Sequence, residues 1–199
     1  NLNIKKGECI GIMGESGSGK STFIDILLGL VNPTKGNVYV DGKNLKDLNA
    51  SWTNILGHIP QEIYLLDESI KNNIALGEKE KDIDLKKVEL AIQDSQLNEF
   101  VERLPKKINT VVGERGSNIS GGEKQRIGIA RTLFRESQIL IFDEATSALD
   151  EKNEKRLLNV IQALKGKKTI ILSSHNPRVF QICDKIYKIE NNKLNQVIK

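Results

Sequence analysis

"GESGSGKS", Gly14 to Ser21, is the stretch whose reading decides the fold. It fits the pattern G-x-x-x-x-G-K-[ST], in which glycines let the backbone wrap closely enough for its N–H groups to face phosphate oxygens. The residues before it, "ECIGIM" (Glu8 to Met13), are apolar enough for a buried strand. Those after it, "STFIDILLGL", have the pattern of an amphipathic helix. Strand, glycine loop and helix in that order put a helix N-terminus at the loop, where an anion is favoured. In that setting Lys20 brings a positive charge to the phosphates and the Ser21 hydroxyl is a ligand for Mg²⁺.

Outward from this loop, short apolar runs alternate with helical patterns, which predicts an α/β fold. "ILGHIP", "ILIFD" (Ile139 to Asp143), "TIILSS" (Thr169 to Ser174) and "KIYKIE" (Lys185 to Glu190) read as strands. "NVYVDGKNL" reads as a hairpin, because Asp41-Gly42 supplies turn chemistry after Pro33 and Gly36. From Gln61 to about Asn109 the texture is helical, with Leu85, Val88 and Ile92 on one face and Leu97, Phe100, Val101 and Leu104 on another before Pro105. With the helix that starts near Gly121, this predicts an inserted helical subdomain. A further helix buries Leu157, Val160, Ile161 and Leu164 and ends at Gly166.

Composition narrows the class. The 199 residues carry 30 basic and 26 acidic side chains, a net charge of +4, with no long like-charge block of the kind that marks a nucleic-acid tail. No apolar run reaches the roughly 20 residues that span a bilayer. Cys9 and Cys183 lie outside any C-x-x-C spacing and are expected to be reduced and buried. Trp52, Tyr64 and Phe100 are expected in the core or at a partner contact rather than on a base-stacking surface, and His58 is expected to be structural. The chain opens in mid-pattern on Asn1, so it is expected to be a segment of a longer polypeptide.

"ILIFDE" carries the second piece of chemistry. A carboxylate at the end of a buried strand beside a phosphate loop, here Asp143, is placed to hold Mg²⁺ bridging the β- and γ-phosphates. The adjacent Glu144 is positioned to polarise an attacking water as a general base.

With these motifs the chain resembles the nucleotide-binding domain of ABC transporters over residues 1–199. Gly14 to Ser21 matches Walker A, Gln61 the Q-loop glutamine, "ISGGE" (Ile119 to Glu123) the family signature and Ile139 to Asp143 Walker B. "SALD" (Ser147 to Asp150) matches the D-loop and His175 the switch histidine. The resemblance implies a RecA-like P-loop NTPase core with a small antiparallel β subdomain and an inserted α-helical subdomain over about 62–135.

The resemblance implies binding and hydrolysis of ATP with Mg²⁺. Gly14, Glu15, Ser16, Gly17, Ser18, Gly19, Lys20, Ser21 and Thr22 would hold the nucleotide. Gln61, Ser120, Gly121, Gly122 and Asp143 complete the binding set, Ser21, Gln61 and Asp143 are the metal ligands, and Glu144, His175 and Lys20 are the catalytic residues. In the family, two such domains sandwich ATP head to tail, so Ser120, Gly121 and Gly122 face the γ-phosphate on the other subunit's P-loop. The other implied partners are the transmembrane domains of the same transporter, at the cytoplasmic face of the cell membrane.

"TVVGERG" (Thr110 to Gly116) and "ESIKNNIALGE" are similar to ABC exporters, and "IYLLDESIKNNIALG" and "CDKIYKIE" to flippases of lipid-linked oligosaccharides. The alternative is an ABC-type ATPase acting on nucleic acid, in repair or chromosome organisation. Such heads carry a very long coiled-coil insertion where this chain has a short one, so no nucleic acid is expected. Two departures stand out. The signature has Ile119 and Glu123 where the family usually has Leu and Gln, and the aromatic residue that stacks on adenine would lie upstream of Asn1. Ser120-x-x-Glu123 also fits a capping box, which satisfies a helix start without any ligand.

Overall fold

A computed structural model describes residues 2–48, 50–117, 119–191 and 193–197, with no account of the side chains at 50 and 115. The chain divides into two compact units. The first comprises residues 1–58, 137–144 and 165–199, and the second residues 59–136 and 145–164.

The first unit is built on a six-stranded sheet. In chain order its elements are β1 (Cys9–Met13), α1 (Lys20–Leu28), the hairpin β2 (Tyr39–Val40) and β3 (Lys43–Asn44), α2 (Ala50–Ile55), β4 (Leu56–Ile59), β5 (Ile139–Asp143), β6 (Thr169–Ser174), β7 (Lys185–Glu190) and β8 (Lys193–Val197). The sheet order is β4-β5-β6-β1-β7-β8, with β5, β6, β1 and β7 parallel and β8 antiparallel to β7. Strands buried on both faces read as continuous apolar runs, and all six residues of β6 are buried. Ile10, Ile12, Ile24, Ile141 and Ile171 form one core with Tyr187 and Ile189.

Register places the site. Asp143 pairs with Ser173, and Met13 with Ser174, so β1, β5 and β6 end level with one another. The residues that follow, Gly14, Glu144 and His175, therefore leave the sheet at the same carboxyl edge, where open α/β sheets bind ligands.

The hairpin forms at Asp41-Gly42, where both residues take positive φ, 48° and 81°, as a two-residue turn of this type demands. Trp52 is buried and its indole N–H donates to the Leu27 carbonyl at 2.7 Å, fixing α2 to α1. Cys9 and Cys183 are both buried. Of the three residues placed on one helical face, Val88 and Ile92 are buried, whereas Leu85 is 50% exposed. Leu85 is the first residue after the Asp84 cap, and Ala91 fills the third core position of that helix instead.

The second unit holds the helices α3 (Ile70–Ile74), α4 (Leu85–Asp94), α5 (Asn98–Glu102), α6 (Gly121–Phe134) and α7 (Glu151–Leu164). Ile70, Ile74, Val88, Ile92, Leu97, Phe100, Val101 and Ile127 make its core. Asn73 is fully buried, and its amide satisfies the backbone on both sides: Nδ2 donates to Leu66 O at 3.0 Å and Oδ1 accepts from Leu66 N at 2.9 Å. α7 buries Leu157, Val160, Ile161 and Leu164. Tyr64 is 63% exposed. No helix among the described residues is long and apolar enough to cross a membrane.

Candidate active site

The loop Gly14 to Gly19 forms a backbone cradle. Gly17 and Gly19 take φ 77° and 100°, left-handed values that favour glycine, and a Cβ at either would meet nothing within 4 Å. Gly19 is the N-cap of α1 and has no side chain, so the cap residue itself offers the helix start no hydrogen bond. Ser18 Oγ is buried with no hydrogen-bond partner. A buried hydroxyl without a partner, a glycine loop and a helix start whose cap has no side chain fit an anion such as a phosphate chain.

Lys20 is 6% exposed. Its ammonium donates to Gly14 O at 2.8 Å and Glu15 O at 2.9 Å, and lies 3.3 Å from Glu144 Oε1. Three donors thus have three acceptors, which is what a buried Lys requires.

Glu144 is the one position at the end of β5 with a left-handed backbone, φ 50°. That conformation costs on the order of 1–3 kcal/mol and persists where the surroundings over-determine it. Here they do: its N–H donates to Ser173 O and Ser173 Oγ, both at 3.2 Å, and its carboxylate meets Lys20 on one oxygen and His175 Nδ1, at 2.9 Å, on the other. A carboxylate only accepts, so Nδ1 carries the proton and Nε2 is left to face solvent chemistry. The His175 side chain is 62% exposed and that of Glu144 only 17%.

Asp143 Oδ1 accepts from Ser173 Oγ at 2.7 Å. Ser173 was not among the residues singled out from the sequence, although a hydroxyl inside the continuous buried run "TIILSS" was the available signal. Ser21 and Thr22 are exposed at the start of α1. Among the described residues no group of three or more His, Cys, Asp or Glu side chains is arranged to hold a metal. A hydroxyl and one carboxylate are the hard oxygen donors that suit Mg²⁺, which takes one or two protein oxygens and fills its shell with phosphate and water.

The first unit therefore brings together Lys20, Asp143, Glu144 and His175 with the glycine loop. Gln61 and the signature belong to the second unit. Gln61 is exposed, and its carbonyl accepts from Gln125 Nε2 at 2.7 Å, with Pro60 O at 3.2 Å from the same nitrogen. Gln125, two residues past the signature, was missed by sequence reasoning because a lone glutamine in a helix carries no pattern.

Asn118 lies outside the described residues. The capping box is present: Ser120 Oγ accepts from Glu123 N at 3.4 Å and donates to Glu123 Oε2 at 2.7 Å, and Ser120 N donates to the same carboxylate at 3.0 Å. Arg103 stands 3.8 Å from the other Glu123 oxygen. A Cβ on Gly122 would lie 2.6 Å from the Asn153 side chain, so no larger residue fits there unless Asn153 moves. His58 is exposed on β4.

The family whose pattern matches residues 1–147 is described as ABC transporter. The chain belongs to that family. This ABC transporter chain is 38% identical over 198 residues to ABC transporter B family member 29, chloroplastic, of Arabidopsis thaliana, covering 99% of the chain and 31% of the relative. It is also 38% identical over 195 residues to a probable ABC transporter ATP-binding/permease protein of Haemophilus influenzae, covering 98% and 35%. Among solved structures it is similar to a bacterial Atm1-family ABC exporter with ATP bound, at 35% identity and a TM-score of 0.86, covering 97% of the chain and 34% of the exporter.

The chain thus spans about a third of the length of the proteins it matches. The fold is the α/β P-loop core that the sequence predicts, with the two-stranded β2-β3 sheet as the small antiparallel element. ATP-binding domains of this family bind ATP and are ATPases coupled to transport. The nucleic-acid alternative finds no support among these relatives.

Proposed function

We propose that this chain is the motor of an exporter: it binds and hydrolyses ATP and so drives a substrate across the membrane, at whose cytoplasmic face it works with transmembrane domains. The observation that supports this most is the carboxylate of Glu144, held between Lys20 at 3.3 Å and His175 at 2.9 Å at the carboxyl edge of the sheet.

In this reading the amides of residues 14–22 and the Lys20 ammonium bind the β- and γ-phosphates. Glu144, once Lys20 turns to the phosphates, accepts the proton of the attacking water. His175, oriented by Nδ1–H to Glu144, presents Nε2 toward the terminal phosphate. Ser173 positions Asp143 by the 2.7 Å hydrogen bond to its Oδ1. Ser21, Asp143 and Gln61 would hold Mg²⁺, which when bound neutralises charge on the phosphate oxygens.

Ser120, Gly121 and Gly122 have no ligand to serve within one chain, since the capping box already satisfies the helix start. In a head-to-tail pair they meet the γ-phosphate held by the other copy's loop, and the approach and release of the two copies drive alternating access. Lys20→Ala tests the nucleotide site directly. Loss of charge-assisted contacts worth about 1.5–3 kcal/mol weakens ATP binding by roughly 10- to 100-fold in a titration, and an unchanged affinity contradicts the assignment.

A further inference from the structure

The two cysteines, expected to be reduced and buried, are placed for chemistry with each other. They are 174 residues apart in sequence, yet their sulfurs lie 3.7 Å apart, and the side chains are 0% and 1% exposed. Cys9 opens β1, which runs directly into the glycine loop. Cys183 follows the 3₁₀ segment Pro177–Ile182, which begins two residues after His175.

The approach is fixed from both sides. Cys9 N–H donates to Asp184 Oδ2 at 2.9 Å, and Asp184 N–H donates to Cys9 O at 2.7 Å. Lys165 pairs with Asp184 at 2.6 Å and donates to Ile182 O at 2.9 Å. Its ammonium is near enough to interact electrostatically with both sulfurs, and a cation beside a thiol favours the thiolate.

We propose that Cys9 and Cys183 are a peroxide-reactive dithiol whose closure to a disulfide restrains the segment that follows His175 and slows ATP turnover. The thiolate of one cysteine attacks a peroxide oxygen; the S–O bond forms, the O–O bond breaks, and the departing hydroxide takes a proton to become water. The second thiolate then attacks the sulfenic sulfur, forming the S–S bond and releasing the oxygen as a second water. Two thiols and one hydrogen peroxide thus give one disulfide and two waters. A small hydroperoxide is the oxidant class that reaches buried sulfurs when the 3₁₀ segment opens. Closure needs the sulfurs to approach by about 1.7 Å, to the roughly 2.05 Å of a disulfide.

The test uses full-length protein treated with hydrogen peroxide and digested with trypsin without reductant. The peptides 7–20 and 179–185 are expected as one cross-linked species, lighter by two hydrogens than their sum, reversed by dithiothreitol and absent in Cys9→Ser and in Cys183→Ala. Turnover is expected to fall several-fold on oxidation and to recover on reduction, while either variant keeps its turnover through the same treatment. Two peptides that stay separate, with free or individually over-oxidised sulfurs, overturn the dithiol. A cross-link with unchanged turnover overturns the regulatory step. Because the cross-link is read by mass, its failure is distinct from any failure of the ATPase assignment.

Discussion

Gly11→Ala is the substitution for which the structure makes the sharpest demand. Gly11 lies in the middle of β1, between β6 and β7, and a Cβ built on it would sit 2.3 Å from Cδ1 and 2.9 Å from Cε1 of Phe180. Ordinary contact begins at 3.4 Å, so the ring has to retreat by about 1 Å. Phe180 is 1% exposed, so the retreat displaces other packed atoms.

Overpacking of this kind costs about 1–3 kcal/mol, and the gain of Ala over Gly in a strand returns roughly 0.5–1 kcal/mol. A net loss of about 1–2 kcal/mol lowers the melting midpoint by roughly 2–8 °C in a chain of this size. Urea unfolding with an unchanged slope measures the loss. In a Phe180→Leu background the ring edge is gone, and the same alanine becomes neutral or stabilising, a coupling of about 1–3 kcal/mol. A Gly11→Ala protein as stable as its parent, or an equal cost in both backgrounds, refutes the reasoning.

Other predictions follow from the caps and their charges. Ser120→Ala removes the two hydrogen bonds of the Ser120 hydroxyl, from Glu123 N and to Glu123 Oε2, leaves the Ser120 N–H on the Glu123 carboxylate, and costs about 1 kcal/mol by chemical denaturation. Asp150 accepts from Asn153 N at 2.9 Å and from Asn153 Nδ2 at 2.6 Å at the start of α7, and Asp150→Ala lowers stability in the same assay. These bonds, the backbone one foremost, hold the Asp150 carboxyl below the ordinary aspartate range. A depressed carboxylate contributes stability that is full above its unfolded pKa and lost as pH falls through the folded one. The gap between parent and Asp150→Ala is therefore constant near neutrality and closes only below about pH 4.

The core was legible where local chemistry and burial agree. Asp41-Gly42 sets the hairpin and Ser120-x-x-Glu123 sets the start of α6, because each motif is satisfied within four residues. The strands β1, β5 and β6 were legible because burial on both faces leaves unbroken apolar runs. β8, "KLNQV", was not, since an edge strand with mostly exposed side chains owes its extension to pairing with β7. α2, "ASWTNI", has no periodicity over so short a length, and α1 holds it through the Trp52 indole.

In the site, Lys20, Asp143, Glu144 and His175 were legible as motif residues. What pattern could not supply is how they are held. The left-handed backbone of Glu144, the Ser173 hydroxyl on Asp143 and Gln125 on the Gln61 carbonyl all depend on register and packing between distant segments.

The central claim is that Glu144 takes the proton of the attacking water, and Glu144→Gln measures it with little change in shape. The amide still reaches Lys20 and His175 but cannot accept a proton. Steady-state phosphate release is expected to fall by at least about 100-fold, the lower range for a lost general base, while ATP titration gives an affinity within a few-fold of the parent. Near-normal phosphate release from Glu144→Gln, with ATP binding intact, would contradict the account and move the base to another group.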